Sequence, residues 1–304
     1  MYQTMIQGDF YERKIPMQIL INGIALGSVY ALIATGFSLI FNVLKFSNFS
    51  HGALMTLSAF AGYFIAAEKG WGLIPTILTA VVTGALVALI GELVAFRRII
   101  ARRSSSEYFF VSSITLGALY EGLVTIKAGA NFYNYPRFFK NSIIMLGHWV
   151  ISISDLLMFT TSVVVLLILV YVLNKTRIGR GLRSVSFDHE TAKLMGIDST
   201  RAIQTAFLIS GALAGLAGVF LGINYTLYPT LGGLVVKGFI ASVIGGLGSF
   251  PGAILGAILL GLTETLLINF VGSGYSPVII FIIMLAFLLI RPQGLAGSNV
   301  QEKA

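Results

Sequence analysis

Nine apolar runs, at residues 17–44, 49–67, 73–96, 108–128, 156–173, 202–225, 234–247, 253–270 and 277–290, leave only short polar stretches between them in this 304-residue chain. About 20 apolar residues cross roughly 30 Å of hydrocarbon. Inside lipid the backbone can satisfy its hydrogen bonds only within helices or a closed barrel. None of the ten-residue alternation of a barrel is present. The expected fold is all-α, a polytopic transmembrane helical bundle of eight or nine membrane segments. One of them, 234–247, is short for a crossing and runs into Gly248-Ser249-Phe250-Pro251-Gly252, so it reads as a short or re-entrant helix ending in a break. Charged residues make up 11% of the chain, against about one quarter in soluble domains, and the mean hydropathy is +0.89. Residues 1–304 therefore form a single membrane domain with no room for a separate soluble one.

The net charge of +8 would suggest nucleic acid in a soluble protein. In a membrane protein it reflects the excess of Lys and Arg in cytoplasmic loops, so no nucleic-acid partner is expected and the lipid bilayer is. Arg97, Arg98, Arg102 and Arg103 follow the third run, and six more basic residues follow the fifth, placing both clusters on one side. If all nine runs cross, Lys45, Arg291 and Lys303 join them, and the N-terminus lies outside. The loop 129–154, rich in aromatics (Phe132, Tyr133, Tyr135, Phe138, Phe139, Trp149), is then expected outside at the membrane interface. Zero cysteines exclude disulfides and thiolate metal sites. Arg13 and Lys14 precede the first run, but that run is long and continues as a span, so no cleavable signal peptide is expected.

The stretch 174–201 is the largest polar island, with Lys175, Arg177, Arg180, Arg183, Lys193 and Arg201 beside Asp188, Glu190 and Asp198. Glu190-Thr191-Ala192-Lys193-Leu194-Met195-Gly196 reads as a short helix ending at glycine, with Asp188 as its N-cap. Taken alone it is a solvated amphipathic helix. Its small residues would also let a partner surface approach closely.

Of the 34 glycines, several pairs sit four apart inside the runs: Gly23/Gly27, Gly211/Gly215, Gly218/Gly222 and Gly252/Gly256. This spacing puts small residues on one helix face and suits close helix packing in lipid. Gly245, Gly246, Gly248, Pro251 and Gly252 would together disrupt a lipid-facing helix. They are read either as a hinge beside a cavity or as a simple turn. Polar groups within or near the runs (Asn22, Asn48, His51, Glu92, Glu121, Asn224, Lys237, Glu264) face a bundle interior or a pathway, because a charge at mid-membrane costs a few kcal/mol. Glu92 reads as a structural partner of Arg97. Asn22, Asn48, His51 and Glu264 are the pathway candidates, and a merely buried, hydrogen-bonded histidine remains the alternative for His51.

Catalytic residues are not expected. There is no G-x-x-x-x-G-K-[ST] loop for nucleotide, no H-E-x-x-H or G-x-S-x-G, and no clustered metal ligands, so neither cofactor nor metal is expected on this chain. No internal repeat is evident.

Asn22-Gly23 through Gly27-Ser28-Val29-Tyr30-Ala31-Leu32-Ile33-Ala34 and Gly36 resembles the opening span of the high-affinity branched-chain amino acid ABC importer permeases. Asn48-Phe49-Ser50-His51-Gly52-Ala53 is similar to that family's N-F-A-H-G signature, with Ser50 where alanine is usual. Lys237-Gly238-Phe239 to Ala253 and Arg291-Pro292-Gln293-Gly294-Leu295 match it too. The resemblance implies a permease that transports and catalyses nothing, in a bacterial-type inner membrane. It implies a second homologous permease subunit, two ABC ATPase subunits that bind ATP, and an external solute-binding protein. It also implies that 174–201 is the ATPase-coupling loop, since Glu190-Thr191-Ala192 with Gly196 keeps the spacing of the E-A-A-x-x-x-G loop, with threonine for the first alanine. Alternatives left open are a urea or short-chain amide importer of the same machinery, and an ATP-independent secondary transporter.

Overall fold

The computed structural model describes residues 2–102, 104–139, 143–146, 149–291 and 293–296. Arg103, Pro292 and Lys303, named above, lie outside them. Helix α1 (Tyr2–Leu44) is followed by α2 (Ser50–Lys69) and α3 (Leu73–Gly91). A π turn (Glu92–Phe96) carries α3 into α4 (Arg97–Ala101), and α5 (Ser106–Ala128) follows. A hairpin of β1 (Ile143–Leu146) and β2 (Trp149–Ser152), paired antiparallel, leads into α6 (Ile153–Lys175). The polar island forms α7 (Arg177–Phe187) and α8 (His189–Leu194). Then come α9 (Ser199–Asn224), a 3-10 turn (Leu231–Leu234), α10 (Val235–Gly245), α11 (Phe250–Phe270) and α12 (Ser276–Ile290).

Six of these helices are long and apolar enough to cross a membrane: those covering Met17–Leu44, Leu73–Ala101, Ser106–Ala128, Ile153–Lys175, Ser199–Asn224 and Phe250–Phe270. Leu231–Gly245 and Ser276–Ile290 are shorter apolar helices. The run 49–67, expected as a crossing, gives α2, which is not among the six. It starts inside the bundle, where the ring of His51 packs on Gly36, eight residues before α1 ends. Its polar residues Ser50, His51, Thr56 and Ser58 are all buried in protein. The chain from Lys45 to Phe49 therefore folds back into the bundle before α2 begins.

Glycine contacts decide which helices pair. α1 packs antiparallel on α11, with Gly23 against Leu262 and Gly27 against Ile258. α9 packs antiparallel on α3, with Gly211 against Gly84 and Gly215 against Ala80. Helix α2 lies antiparallel to α3 (Gly62 on Thr76, Ser58 beside Gly84), and α10 lies likewise on α11 (Gly245 on Gly252, Ala241 on Gly256). Thus α1-α2-α3 and α9-α10-α11 repeat one arrangement: a long helix, a break, a helix that starts inside the bundle, and a third helix that packs on the other unit's long helix. The long helices cross antiparallel where the Ser210 hydroxyl donates to the Gly36 carbonyl at 2.9 Å. The start of α2 meets the turn that leads into α10, Gly52 on Gly232. The expectation of no internal repeat is corrected here. Equivalent places share only small side chains and a chain break, too little for a sequence signal, whereas backbone approach is sensitive to both.

One end of the bundle carries Leu44, α8 and the break after α10. The other carries the hairpin. There Tyr133 bridges to Leu227, and the Tyr135 hydroxyl donates to the Ala59 carbonyl at 2.6 Å. Tyr133 and Tyr135 pack on Phe60 and Tyr63, so these two aromatics cap α2. Glu92 is buried and bonded to Arg97 at 3.3 Å, as expected. The π turn beginning at Glu92 was not anticipated.

Candidate functional site

The Gly/Pro-rich segment is the break the sequence suggested. α10 ends at Gly245 and is followed by Gly246, whose φ of 105° is a conformation that only glycine adopts without strain. Ser249 then caps α11 by accepting from the Gly252 N–H at 3.2 Å, with Pro251 in its first turn. Gly245 and Gly252 touch backbone to backbone. The orphan carbonyls at the end of α10 are satisfied from far along the chain: Leu295 N–H donates to Ile244 and Ala296 N–H to Gly245, at 2.8 and 3.0 Å. Gly245, Gly246, Gly248, Pro251 and Gly252 therefore stand together in one tightly packed turn at the α8 end.

Glu264 is an interior residue, as expected, and it is not alone. It accepts from Lys237 Nζ on one oxygen and from the Tyr30 hydroxyl on the other at 3.0 Å. Lys237 also donates to the Tyr30 oxygen at 3.1 Å. The short helix α10 is thereby tied to α11 and α1 by a charge pair with a hydroxyl between its arms. Pairing was missed at the sequence level, although a lone acid and a lone lysine in two apolar runs carry a signal for it.

Asn48 and His51 fall together but not on an open path. Asn48 Oδ1 accepts from the Ser50 N–H and hydroxyl at 3.2 and 2.7 Å, so it closes the turn before α2. His51 is 1% exposed, with Nδ1 3.3 Å from the Ser210 hydroxyl. Because that hydroxyl donates to Gly36, the histidine N–H is on Nδ1, and Nε2 has no partner among the described residues. For His51 the alternative of a buried, bonded histidine is the one observed.

Asn22 stands apart from both. It lines a cleft of about 250 Å3 at the hairpin end, between α1, α6, α9 and α11, together with Asp155, Asn224, Tyr225 and Thr265. Asp155 accepts from the Asn224 amide at 2.7 Å, a pair that no sequence pattern indicated.

The polar island is ordered. Thr176 caps α7 by accepting from Gly179 N–H, and α7 buries Leu182 and Val185. Arg183 reaches back to the Leu173 carbonyl that ends α6. Asp188 caps α8 as expected, accepting from the Thr191 N–H at 2.7 Å. That backbone hydrogen bond holds the Asp188 carboxyl below its usual value. His189 contacts the Val43 carbonyl at 3.1 Å, seating α8 beneath the end of α1. Ala192 is buried, while Phe187, Leu194 and Met195 are 94%, 87% and 77% exposed. Gly196 closes the turn with φ of 79°, and nothing lies within 4 Å of where a side chain would begin. Glu190 and Thr191 are exposed beside this apolar cap. Phe187 and Met195 line an open groove of about 450 Å3 with Asp188, Thr191 and Ala192.

Comparison with known proteins agrees with this architecture. Residues 19–288 match the family model of the permease component of branched-chain amino acid transport systems. The chain is 29% identical to the high-affinity branched-chain amino acid transport permease LivH of Escherichia coli K12, over 94% of this chain and 97% of that one. It is similarly related to BraD of Pseudomonas aeruginosa, at 29% with the same coverage, and to a LivH-type permease of Methanocaldococcus jannaschii, at 30% over 92% of each chain. The fold resembles that of an ABC transporter of metal-chelate type solved in an inward-facing conformation, with a TM-score of 0.52 at 15% identity, covering 90% of this chain and 85% of the other. By the family match over residues 19–288, the chain is a multi-pass membrane protein and belongs to the family of permease components of branched-chain amino acid transport systems.

Proposed function

We propose that this chain is one of two homologous permease subunits of an ATP-driven importer of branched-chain or related small amino acids in a bacterial-type inner membrane. Two separate ATPase subunits bind the ATP, and a solute-binding protein delivers substrate to the hairpin end. The observation that carries this is the bare apolar cap of Phe187, Leu194 and Met195 around Glu190, Thr191, Ala192 and Gly196, on the end of the bundle that also carries Arg97, Arg98 and Lys175. A cytoplasmic ATPase that seats α8 can move α1 through the His189–Val43 contact and α6 through Arg183. Closure of the ATPase pair would then shift the two inverted units against each other, exposing a central path alternately to each side. Asn22 and Glu264 are the pathway candidates this reading keeps. Asn48 and His51, sealed against α1, position the two units.

The test is to purify the complex through a tag on this chain, reconstitute it in liposomes and measure labelled leucine uptake. Uptake is expected to require ATP and the binding protein, and unlabelled leucine should compete while urea should not. Uptake by this chain alone without nucleotide would replace the reading with a secondary transporter. Competition by urea in place of leucine would make it an amide importer.

A further inference from the structure

The cleft at the hairpin end holds polar groups whose donor and acceptor sense the structure fixes. Val150 binds the Gln18 amide from both sides: its N–H donates to Gln18 Oε1 at 3.2 Å, and its carbonyl accepts from Gln18 Nε2 at 2.9 Å. That amide cannot be turned over without losing both bonds. Gln18 Nε2 also donates to Asn22 Oδ1 at 3.0 Å, so the NH2 of Asn22 is left to serve the cleft. Across from it, a carboxylate can only accept. The 2.7 Å bond therefore runs from Asn224 Nδ2 to Asp155 Oδ1, which leaves Asn224 Oδ1 as a second acceptor. Asp155 has no ion-pair partner among the described residues. Two acceptors, one of them charged, thus stand together on the α6–α9 side. A donor amide stands on the α1 side. Between them the walls are apolar, from Leu26, Val29, Phe220 and Ile268, and the space continues past Asn22 into an open groove of about 440 Å3 over Asn269.

We propose that this cleft binds a zwitterionic α-amino acid with an aliphatic side chain. Its ammonium sits on Asp155 and the Asn224 carbonyl, its carboxylate on the Asn22 amide, and its side chain between the apolar walls. The proposal rests on the import reading, in which the hairpin end faces the outside. It assigns substrate recognition to a place separate from the Lys237–Glu264 pair, whose charges are spent on each other. The competing role for Asp155 is to complement the N-terminal dipole of α6, where it occupies the first turn. That role is indifferent to leucine.

The absence of cysteine makes a direct test possible. An Asn269→Cys reporter at the rim is labelled with a membrane-impermeant thiol reagent in proteoliposomes of the complete membrane complex. Leucine is expected to slow labelling, whereas 4-methylpentanoate, the same skeleton without the ammonium, is not. Asp155→Asn should abolish the protection, and Asn22→Ala should raise the leucine concentration needed for half-protection about tenfold, the cost of one hydrogen bond to a charged group. A complex that transports leucine but shows no leucine protection overturns the proposal. Equal protection in Asp155→Asn, or equal protection by 4-methylpentanoate, also overturns it. A complex that does not transport leucine overturns the import reading instead, and protection by leucine would still support the cleft.

Discussion

Lys237 of α10 and Glu264 of α11 form an ion pair inside the bundle, and the Tyr30 hydroxyl from α1 donates to the free carboxylate oxygen at 3.0 Å. Breaking a buried pair from one side strands a charge, whereas removing both partners together is often neutral. Glu264→Gln and Lys237→Met should each destabilise the detergent-solubilised protein by ~3–5 kcal/mol. The double variant Lys237→Met/Glu264→Gln should recover most of that loss. Thermal unfolding of the four proteins checks it, and additive losses would show that the pair carries no coupling.

Gly84 and Gly211 touch through their backbones, and a Cβ on either would strike the other helix. Gly211→Leu should force α3 and α9 apart, at a cost of at least the ~1–3 kcal/mol of ordinary overpacking. Gly122, which faces open space, should accept leucine with little effect. The amount of folded protein recovered from membranes distinguishes the two.

Gly196 has open space around it but a positive φ. Gly196→Arg is expected to abolish ATP-dependent uptake and ATPase co-purification while membrane insertion stays normal. Gly196→Asn, which tolerates the left-handed region, should retain both in part. Normal uptake by the arginine variant would remove α8 from the coupling role.

The carboxyl of Asp188 is held below its ordinary value by the Thr191 N–H, so its capping contribution is fully present above the unfolded-state pKa of about 3.9 and is lost as pH falls through the lower folded value. ATPase coupling should therefore not change through Asp188 between about pH 5 and 8. Asp188→Asn, which keeps a capping oxygen, should preserve coupling where Asp188→Ala weakens it. Nucleotide hydrolysis stimulated by the permease is the measurement.

The Asp188 cap, the α8 turn, the Glu92–Arg97 pair and the break at Gly246 were legible because each is local: a cap residue, a glycine and a short spacing contain the whole physical cause. The interior placement of Glu264 was legible from cost alone, since a carboxylate in an apolar run has nowhere else to go. Its partner was not, because Lys237 lies 27 residues away across a chain reversal. The buried start of α2 was missed because a run of apolar residues looks the same whether it crosses lipid or begins inside a bundle. Asp155 and Asn224 were unreadable as a pair, being single polar residues at the ends of two helices 69 positions apart.

Apolar runs and charge scarcity alone dictate a helical membrane protein, because lipid offers the backbone no other partner for its hydrogen bonds. Where the chain breaks and which turns are capped are also written in single residues. Which helices meet was decided only in three dimensions. Gly211 finds Gly84, and Gly245 finds Gly252, because close backbone approach depends on two surfaces matching at once. The same assembly brings Asn22, Asp155 and Asn224 from three helices to one cleft.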